Sequence, residues 1–250
     1  MNKTFIWGHR GAGFAGVQNT LSSFQNAIDL GVDGIKTEAK ISKDREIFLT
    51  FEQRIKNNGT EIPINELESH EIKNFKLENG ESIPTLRELF TKFKNYNIRY
   101  NFDINTPEIG LRIIEIAKDF NMIDKIEIAK PSIDPRPLSN IFSKIREFDK
   151  DVKLVNSIFL KYPNIDDIHF ELESMKNLDI RVINVNYSFA NFELFKNVIK
   201  KGFEFYIWGI IFNRNMERFL KMNFNGKYID AMMSNFPGKL VNLRNKIQVI

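Results

Sequence analysis

Phe5-Ile6-Trp7-Gly8-His9-Arg10-Gly11 is an apolar run that ends in a basic pair and a glycine; Gln18-Asn19-Thr20-Leu21 and then Gly31-Val32-Asp33-Gly34-Ile35 follow it. The order is strand, glycine-rich loop, helix start and second strand. A strand end that delivers His9 and Arg10 into such a loop meets the needs of a phosphate site. The histidine can move a proton near neutral pH, and the arginine can grip phosphate oxygens through its planar fork.

The same alternation runs outward through the chain. Strands are read near 5–9, 33–41, 98–105, 125–130, 151–157, 180–187, 203–210 and 228–234. Amphipathic helical patterns lie between them, among them Leu21–Leu30, Leu86–Tyr96, Glu108–Phe120, Phe192–Lys201 and Met216–Met222. Eight strands alternating with helices in 250 residues predict an α/β fold of the (β/α)8 TIM-barrel type, for which about 250 residues is usual. No glycine fingerprint of a dinucleotide or nucleoside triphosphate site is present, which weighs against an open doubly wound sheet. One stretch breaks the alternation. Glu46–Phe51 reads as an extra strand, and 52–84 is rich in turns with a short helical pattern at Asn65–Phe75. Residues 1–250 are therefore expected to form a single barrel domain, with 46–84 inserted after the second strand over the barrel mouth.

Composition narrows the function. There is no cysteine, so disulfides, thiolate catalysis and cysteine zinc sites are excluded. The formal charge of +4 comes from Lys and Arg spread along the chain among Glu and Asp, which argues against a nucleic-acid partner. No apolar run approaches the roughly 18 residues of a membrane span, and strand-like sequence by Phe5 leaves no room for a signal peptide, so a cytoplasmic protein without membrane insertion is expected.

Strand parity locates the site. Ile35, Ala39 and Ile41 alternate with Lys36, Glu38 and Lys40; Phe102 and Ile104 with Asn101, Asp103 and Asn105; Ile183 and Val185 with Asn184 and Asn186. Parallel barrel strands are covered on both faces, so a recurrent polar face is expected to point inward near the C-terminal mouth, where sites of this fold lie.

Several ordered motifs together resemble the glycerophosphodiester phosphodiesterases. His9-Arg10-Gly11 matches that family's opening His-Arg-Gly, and Gln18-Asn19-Thr20-Leu21 its Glu-Asn-Thr-Leu helix start. Ser42-Lys43-Asp44, Asn58-Gly59-Thr60 and Ile83-Pro84-Thr85-Leu86 match further signposts. Tyr100-Asn101-Phe102-Asp103, Tyr206-Ile207-Trp208 and Ser234-Asn235-Phe236-Pro237 extend the likeness to the end of the chain. The resemblance implies a barrel that hydrolyses glycerophosphodiesters to glycerol 3-phosphate and an alcohol. It also implies two histidines as acid and base, and a divalent cation (Mg or Ca) on a Glu-x-Asp pair and a further Glu.

Carried over residue by residue, the pattern is altered. His9 and Arg10 are kept as catalytic candidates. The first-helix Glu is Gln18, the Glu-x-Asp pair is Lys36-Thr37-Glu38, and the third-strand Glu is Asp103 with Asn105 near it. Phe51 stands where the second histidine is expected. Glu38 and Asp103 are the metal candidates that remain, and Lys36 is expected to neutralise them in the cation's place. Arg10, Lys36, Lys130 and Trp208 are the candidates for holding phosphate or substrate; His70 and His169 are expected at the surface. Three readings follow. The chain is a hydrolase with impaired metal-dependent chemistry, a pseudoenzyme that binds a small phosphodiester or phosphate ligand, or a partner-binding barrel with a vestigial pocket.

Overall fold

The computed structural model describes residues 3–57, 59–133, 136–159, 165–166 and 170–249; Asn58 and His169 lie outside them. Eight parallel strands close on themselves: β1 (Phe5–His9), β2 (Gly34–Ile41), β3 (Arg99–Asp103), β4 (Ile126–Ser132), β5 (Lys153–Ile158), β6 (Ile180–Asn186), β7 (Glu204–Trp208) and β8 (Ala231–Ser234). Each pairs with its sequence neighbours, and β8 pairs with β1, so the (β/α)8 barrel expected from the sequence is the fold. The helices between and after the strands are α1 (Leu21–Asp29), α2 (Leu86–Phe93), α3 (Pro107–Asp119), α4 (Asn140–Phe148), α5 (Leu172–Asn177), α6 (Phe192–Lys200), α7 (Asn213–Leu220) and α8 (Pro237–Ile247).

The period-two patterns sort into two cores. Ile35, Phe102, Ile183 and Met232 face outward and join the helices in one large apolar cluster. Trp7, Ala129, Val155, Val182, Tyr206, Ala231 and Met233 face inward and fill the barrel. Below them the inside turns polar. Glu127, fully buried, meets Arg99 at 2.8 Å, Asn101 Nδ2 at 2.9 Å, the Tyr206 hydroxyl at 3.0 Å and Lys153 at 3.5 Å. A buried carboxylate is tolerable only with that degree of pairing.

Helix starts follow local chemistry. Thr20 accepts from the Ser23 amide at the head of α1, and Thr85 and Glu88 cap each other's backbone at the head of α2. The segment after β2 forms an antiparallel strand, Ile47–Leu49, against Ala39–Ile41. It continues as a hairpin, Arg54–Asn57 with Thr60–Pro63, and closes on its own apolar cluster of Phe48, Ile55, Ile64, Leu67, Ile72 and Ile83. The helical pattern expected at 65–75 is split into a turn, Ile64–Glu66, and a helix, Ser69–Asn74. Leu67 goes extended to reach that cluster, and the Glu68–Glu71 capping box restarts the helix. The last strand is shorter than the sequence suggests. Lys227–Tyr228 turns back on Asn223–Phe224 because Asn225 and Gly226, at φ 52° and 81°, form the left-handed pair a tight hairpin favours.

Candidate active site

His9 is the last residue of β1, and strand alternation after Phe5 and Trp7 points it inward at the mouth. Its Nδ1–H donates to Asn235 Oδ1 at 2.6 Å, just beyond β8, and Nε2 faces the cavity. The chain then turns sharply. Arg10 takes φ 56° and Asn19 the same value; the Arg10 amide donates to the Lys36 carbonyl at 2.6 Å and the Asn19 amide to the Arg10 carbonyl at 3.0 Å. Left-handed backbone in a non-glycine residue costs about 1–3 kcal/mol, here spent where Arg10 must reach across to β2. Gly13 makes the closest approach. A β-carbon there would sit 2.1 Å from the Asn235 carbonyl oxygen, which instead accepts from the Phe14 amide at 3.0 Å. The loop that carries Arg10 is thus fastened to the residue that orients His9.

Glu38 is the hub of the upper β2. Arg10 Nε donates to its Oε1 at 2.9 Å, Asn19 Nδ2 to its Oε2 at 3.1 Å, and His9 Nε2 stands 3.8 Å from Oε1. The Thr37 hydroxyl donates to Asn19 Oδ1 at 2.7 Å, which turns that amide's N–H toward Glu38. Burial works to raise the Glu38 pKa, but the contact with His9 and the charges of Lys36 and Arg10 outweigh it, and the carboxyl is held far below its ordinary value. Lys36, one inward position below and almost wholly buried, places its Nζ against Asp103 Oδ2, within contact across β2 and β3. Burial raises the pKa of Asp103 against the pull of that ammonium.

Together these residues line a cavity of about 340 Å³ at the C-terminal end of the barrel. Arg10, Lys36, Lys40 and Lys130 are its cations; Glu38 and Asp103 are its carboxylates. Burial lowers the pKa of both Lys40 and Lys130, with nearby carboxylates raising it in part. Lys130 Nζ also donates to the Pro131 carbonyl. The opposite wall is apolar, with Trp208 edge-on to Phe159 at 5.0 Å and Met233 at its base. Phe51 neither fills nor closes the cavity; its ring stacks 4.2 Å from the Arg10 guanidinium carbon. Three buried polar atoms of the lining residues, Asp103 Oδ1, Asn184 Oδ1 and Trp208 Nε1, have no partner among the described residues.

All the sequence-derived site residues therefore meet here: His9, Arg10, Lys36, Glu38, Asp103, Lys130 and Trp208 line one space. His70 is exposed on the helix Ser69–Asn74, away from it. Sequence reading passed over Lys40, Asn235, Ser157 and Gln53 as site residues. Lys40 and Asn235 had signals, the inward face of β2 and the C-terminal motif; Ser157 and Gln53 had none.

A divalent cation fits this set poorly. Such ions want several oxygen ligands. Of the carboxylate oxygens, Glu38 Oε1 is held by Arg10, Glu38 Oε2 by Asn19 and Asp103 Oδ2 by Lys36, which leaves Asp103 Oδ1. An ammonium about 4 Å from a divalent ion would repel it by about 8 kcal/mol at an effective dielectric of 20. Among the described residues no cluster of three or more His, Asp or Glu side chains suits a metal.

The model of the glycerophosphoryl diester phosphodiesterase family matches residues 9–238. The chain is 24% identical over 259 residues to the glycerophosphodiester phosphodiesterase of Caldanaerobacter subterraneus subsp. tengcongensis, covering 98% of this chain and 99% of that one. It superposes on a phosphodiesterase of Oleispira antarctica, solved in complex with the product sn-glycerol-3-phosphate, with a TM-score of 0.78, 15% identity and 96% of each chain. A glycerophosphodiester phosphodiesterase of Parabacteroides distasonis gives 0.77, 17% identity and 98% of each chain.

Proposed function

The chain belongs to the glycerophosphoryl diester phosphodiesterase family, and we propose that it holds a glycerophosphodiester at the barrel mouth with its own cations in place of a metal ion. The observation that carries this reading is Lys36, whose ammonium lies against Asp103 where the family resemblance implies a carboxylate. With Arg10 and Lys36 already balanced by Glu38 and Asp103, Lys40 and Lys130 supply the positive charge that a phosphodiester anion needs. Asn184 Oδ1 and Asp103 Oδ1 are free to accept from glycerol hydroxyls, and Trp208 walls the apolar side.

Hydrolysis forms a bond from a water oxygen to phosphorus and breaks the bond from phosphorus to the alcohol oxygen. His9 Nε2 is set to take the proton from the water, and the imidazolium so formed faces Glu38 at 3.8 Å. The leaving alkoxide also needs a proton; Phe51 has none to give, and bulk water must supply it. Losing one such group lowers the rate about 10²–10⁴-fold. The proposal is therefore a slow hydrolase or a binding protein for the same ligand class, acting as a single barrel in the cytoplasm. Among the described residues no helix is long and apolar enough to cross a membrane.

The test is release of glycerol 3-phosphate from glycerophosphocholine in the presence of Mg²⁺, Ca²⁺, Mn²⁺ or EDTA, with His9→Ala as control, alongside calorimetric binding of glycerol 3-phosphate. Binding that is indifferent to EDTA supports the reading, and any turnover should share that indifference. Binding or turnover that appears only with added cation overturns it.

A further inference from the structure

The loops that ring the mouth expose apolar side chains that belong to neither core. Phe14 in the loop after β1 is 61% exposed, Ile133 after β4 is 73% and Phe212 after β7 is 60%. All three follow the C-terminal ends of their strands, so they stand on one pole of the barrel and encircle the cavity without lining it. Phe51 and Phe159, also exposed, stand inside them at the cavity wall. Leaving three large side chains in water on one face is a cost the fold does not need, which marks an interaction surface.

Charge identifies the partner. Phe14 packs edge-on to Phe236 at 5.4 Å, and Lys239 Nζ lies 4.6 Å from the centre of the Phe236 ring. Arg214, exposed, is two residues from Phe212. Among the described residues neither Lys239 nor Arg214 has a carboxylate within ion-pair distance. By contrast Lys43, Arg45 and Arg54 of the loop and insertion after β2 pair with Glu68, Glu108 and Glu61 and add no net charge. Inside the ring, four cations face two carboxylates. Apolar tips next to unpaired basic side chains, around a cationic opening, complement a surface that is anionic above and hydrocarbon below.

We propose that the barrel mouth docks on the surface of an anionic phospholipid bilayer, with Phe14, Ile133 and Phe212 inserted at headgroup depth and Lys239 and Arg214 against the lipid phosphates. The docking is peripheral. It turns the cavity toward the bilayer surface, and it stands independently of what the cavity binds.

The experiment is co-sedimentation of the full chain with vesicles of phosphatidylcholine alone and of phosphatidylcholine mixed with phosphatidylglycerol. The native chain is expected to sediment with the mixed vesicles, to bind the neutral ones more weakly, and to be released by salt. The pair Phe14→Ser with Phe212→Ser should lower binding about tenfold or more, and Lys239→Glu with Arg214→Glu should do the same through charge alone. Both pairs should keep the native circular-dichroism spectrum and cooperative thermal unfolding, which shows that they fold. Three results would overturn the proposal. They are a native chain left in the supernatant by both vesicles, equally tight binding to the neutral ones, and a dimer in light scattering that Phe14→Ser with Phe212→Ser dissolves. In that last case a second copy of the chain covers the face.

Discussion

Lys36 and Asp103 form a buried ion pair across adjacent strands, and Glu38 and Asp103 sit at the same level of the β2–β3 register. The ammonium is held by Asp103 and acts on Glu38 through its charge, in the place that the proposed function takes from a cation. Its removal should recreate the demand for one. Lys36→Glu is expected to lower the melting temperature in EDTA and to recover it on addition of Ca²⁺ or Mn²⁺, because an ion that binds only the folded state stabilises it by mass action. The native chain should not respond to the same additions. Differential scanning calorimetry with and without cation decides this.

Glu38 gives the fold a defined acid sensitivity. Its folded pKa is depressed from the ordinary 4.5, so the stabilisation it brings is complete above that value and drains away as pH falls below it. Glu38→Gln removes the charge and leaves Arg10 without its partner. The variant should lose about 1–3 kcal/mol at neutral pH, and the gap to the native chain should narrow as the pH falls below 4.5. Urea titrations at several pH values measure the gap. A difference that stays constant with pH would show that folding does not shift the Glu38 pKa, and one that widens as pH falls would show that it is raised.

The barrel and the inward polar face were legible because both depend on alternation, which strand geometry enforces. The sequence alone places Lys36, Glu38 and Asp103 on one inward face, since side chains two residues apart on a strand share a side. Who neutralises whom was half legible. The Lys36–Asp103 pair follows from charge, but the grip of Arg10 and Asn19 on Glu38 depends on the left-handed turn at Arg10 and Asn19, which no local pattern in the sequence announces. Asn235 is another such case: its contact with His9 spans 226 residues and exists only because β8 closes on β1. The lower polar plug around Glu127 was missed for a similar reason. In a strand reading Ile126-Glu127-Ile128, one charged residue looks like an exposed edge, and only closure of the barrel brings Arg99, Lys153 and Tyr206 around it.

That plug predicts a separation of stability from binding. Glu127→Ala takes the carboxylate away from Arg99, which is a third exposed, and from Lys153, which keeps Glu204 at 2.6 Å, and leaves Asn101 Nδ2 and the Tyr206 hydroxyl without their acceptor. A loss of about 1–3 kcal/mol is expected, the cost of leaving buried donors unpaired. Calorimetric affinity for glycerol 3-phosphate should hold at temperatures where the variant is folded, since the plug lies at the opposite end of the barrel from the cavity.

Lys40 and Lys130 are the two cavity-lining lysines whose charge is not taken up by a carboxylate contact among the described residues. Each should contribute a charge-assisted contact to a bound phosphate, of about 1.5–3 kcal/mol. Lys40→Ala and Lys130→Ala are therefore each expected to weaken glycerol 3-phosphate about tenfold or more. The melting temperature should hold or rise slightly, because burial of both ammonium groups is already unfavourable. A stability loss without an affinity loss would assign them to the scaffold.

Phe51 offers the sharpest test of what limits the chemistry. Its ring lies over the Arg10 guanidinium at the lip of the cavity, on the side of β2 away from β3. Phe51→His keeps a flat ring over Arg10 and adds a group that can give a proton to the leaving alkoxide. If absence of that proton is the barrier, turnover of glycerophosphocholine should rise about tenfold or more, short of the full 10²–10⁴ because the new imidazole shares Arg10 as a neighbour. The gain should need His9, so that Phe51→His combined with His9→Ala is inert. It should also show a bell-shaped pH dependence where the native profile, with one titrating partner, has a single limb. No gain from Phe51→His, with glycerol 3-phosphate still bound, would place the barrier in the missing cation and not in the missing acid.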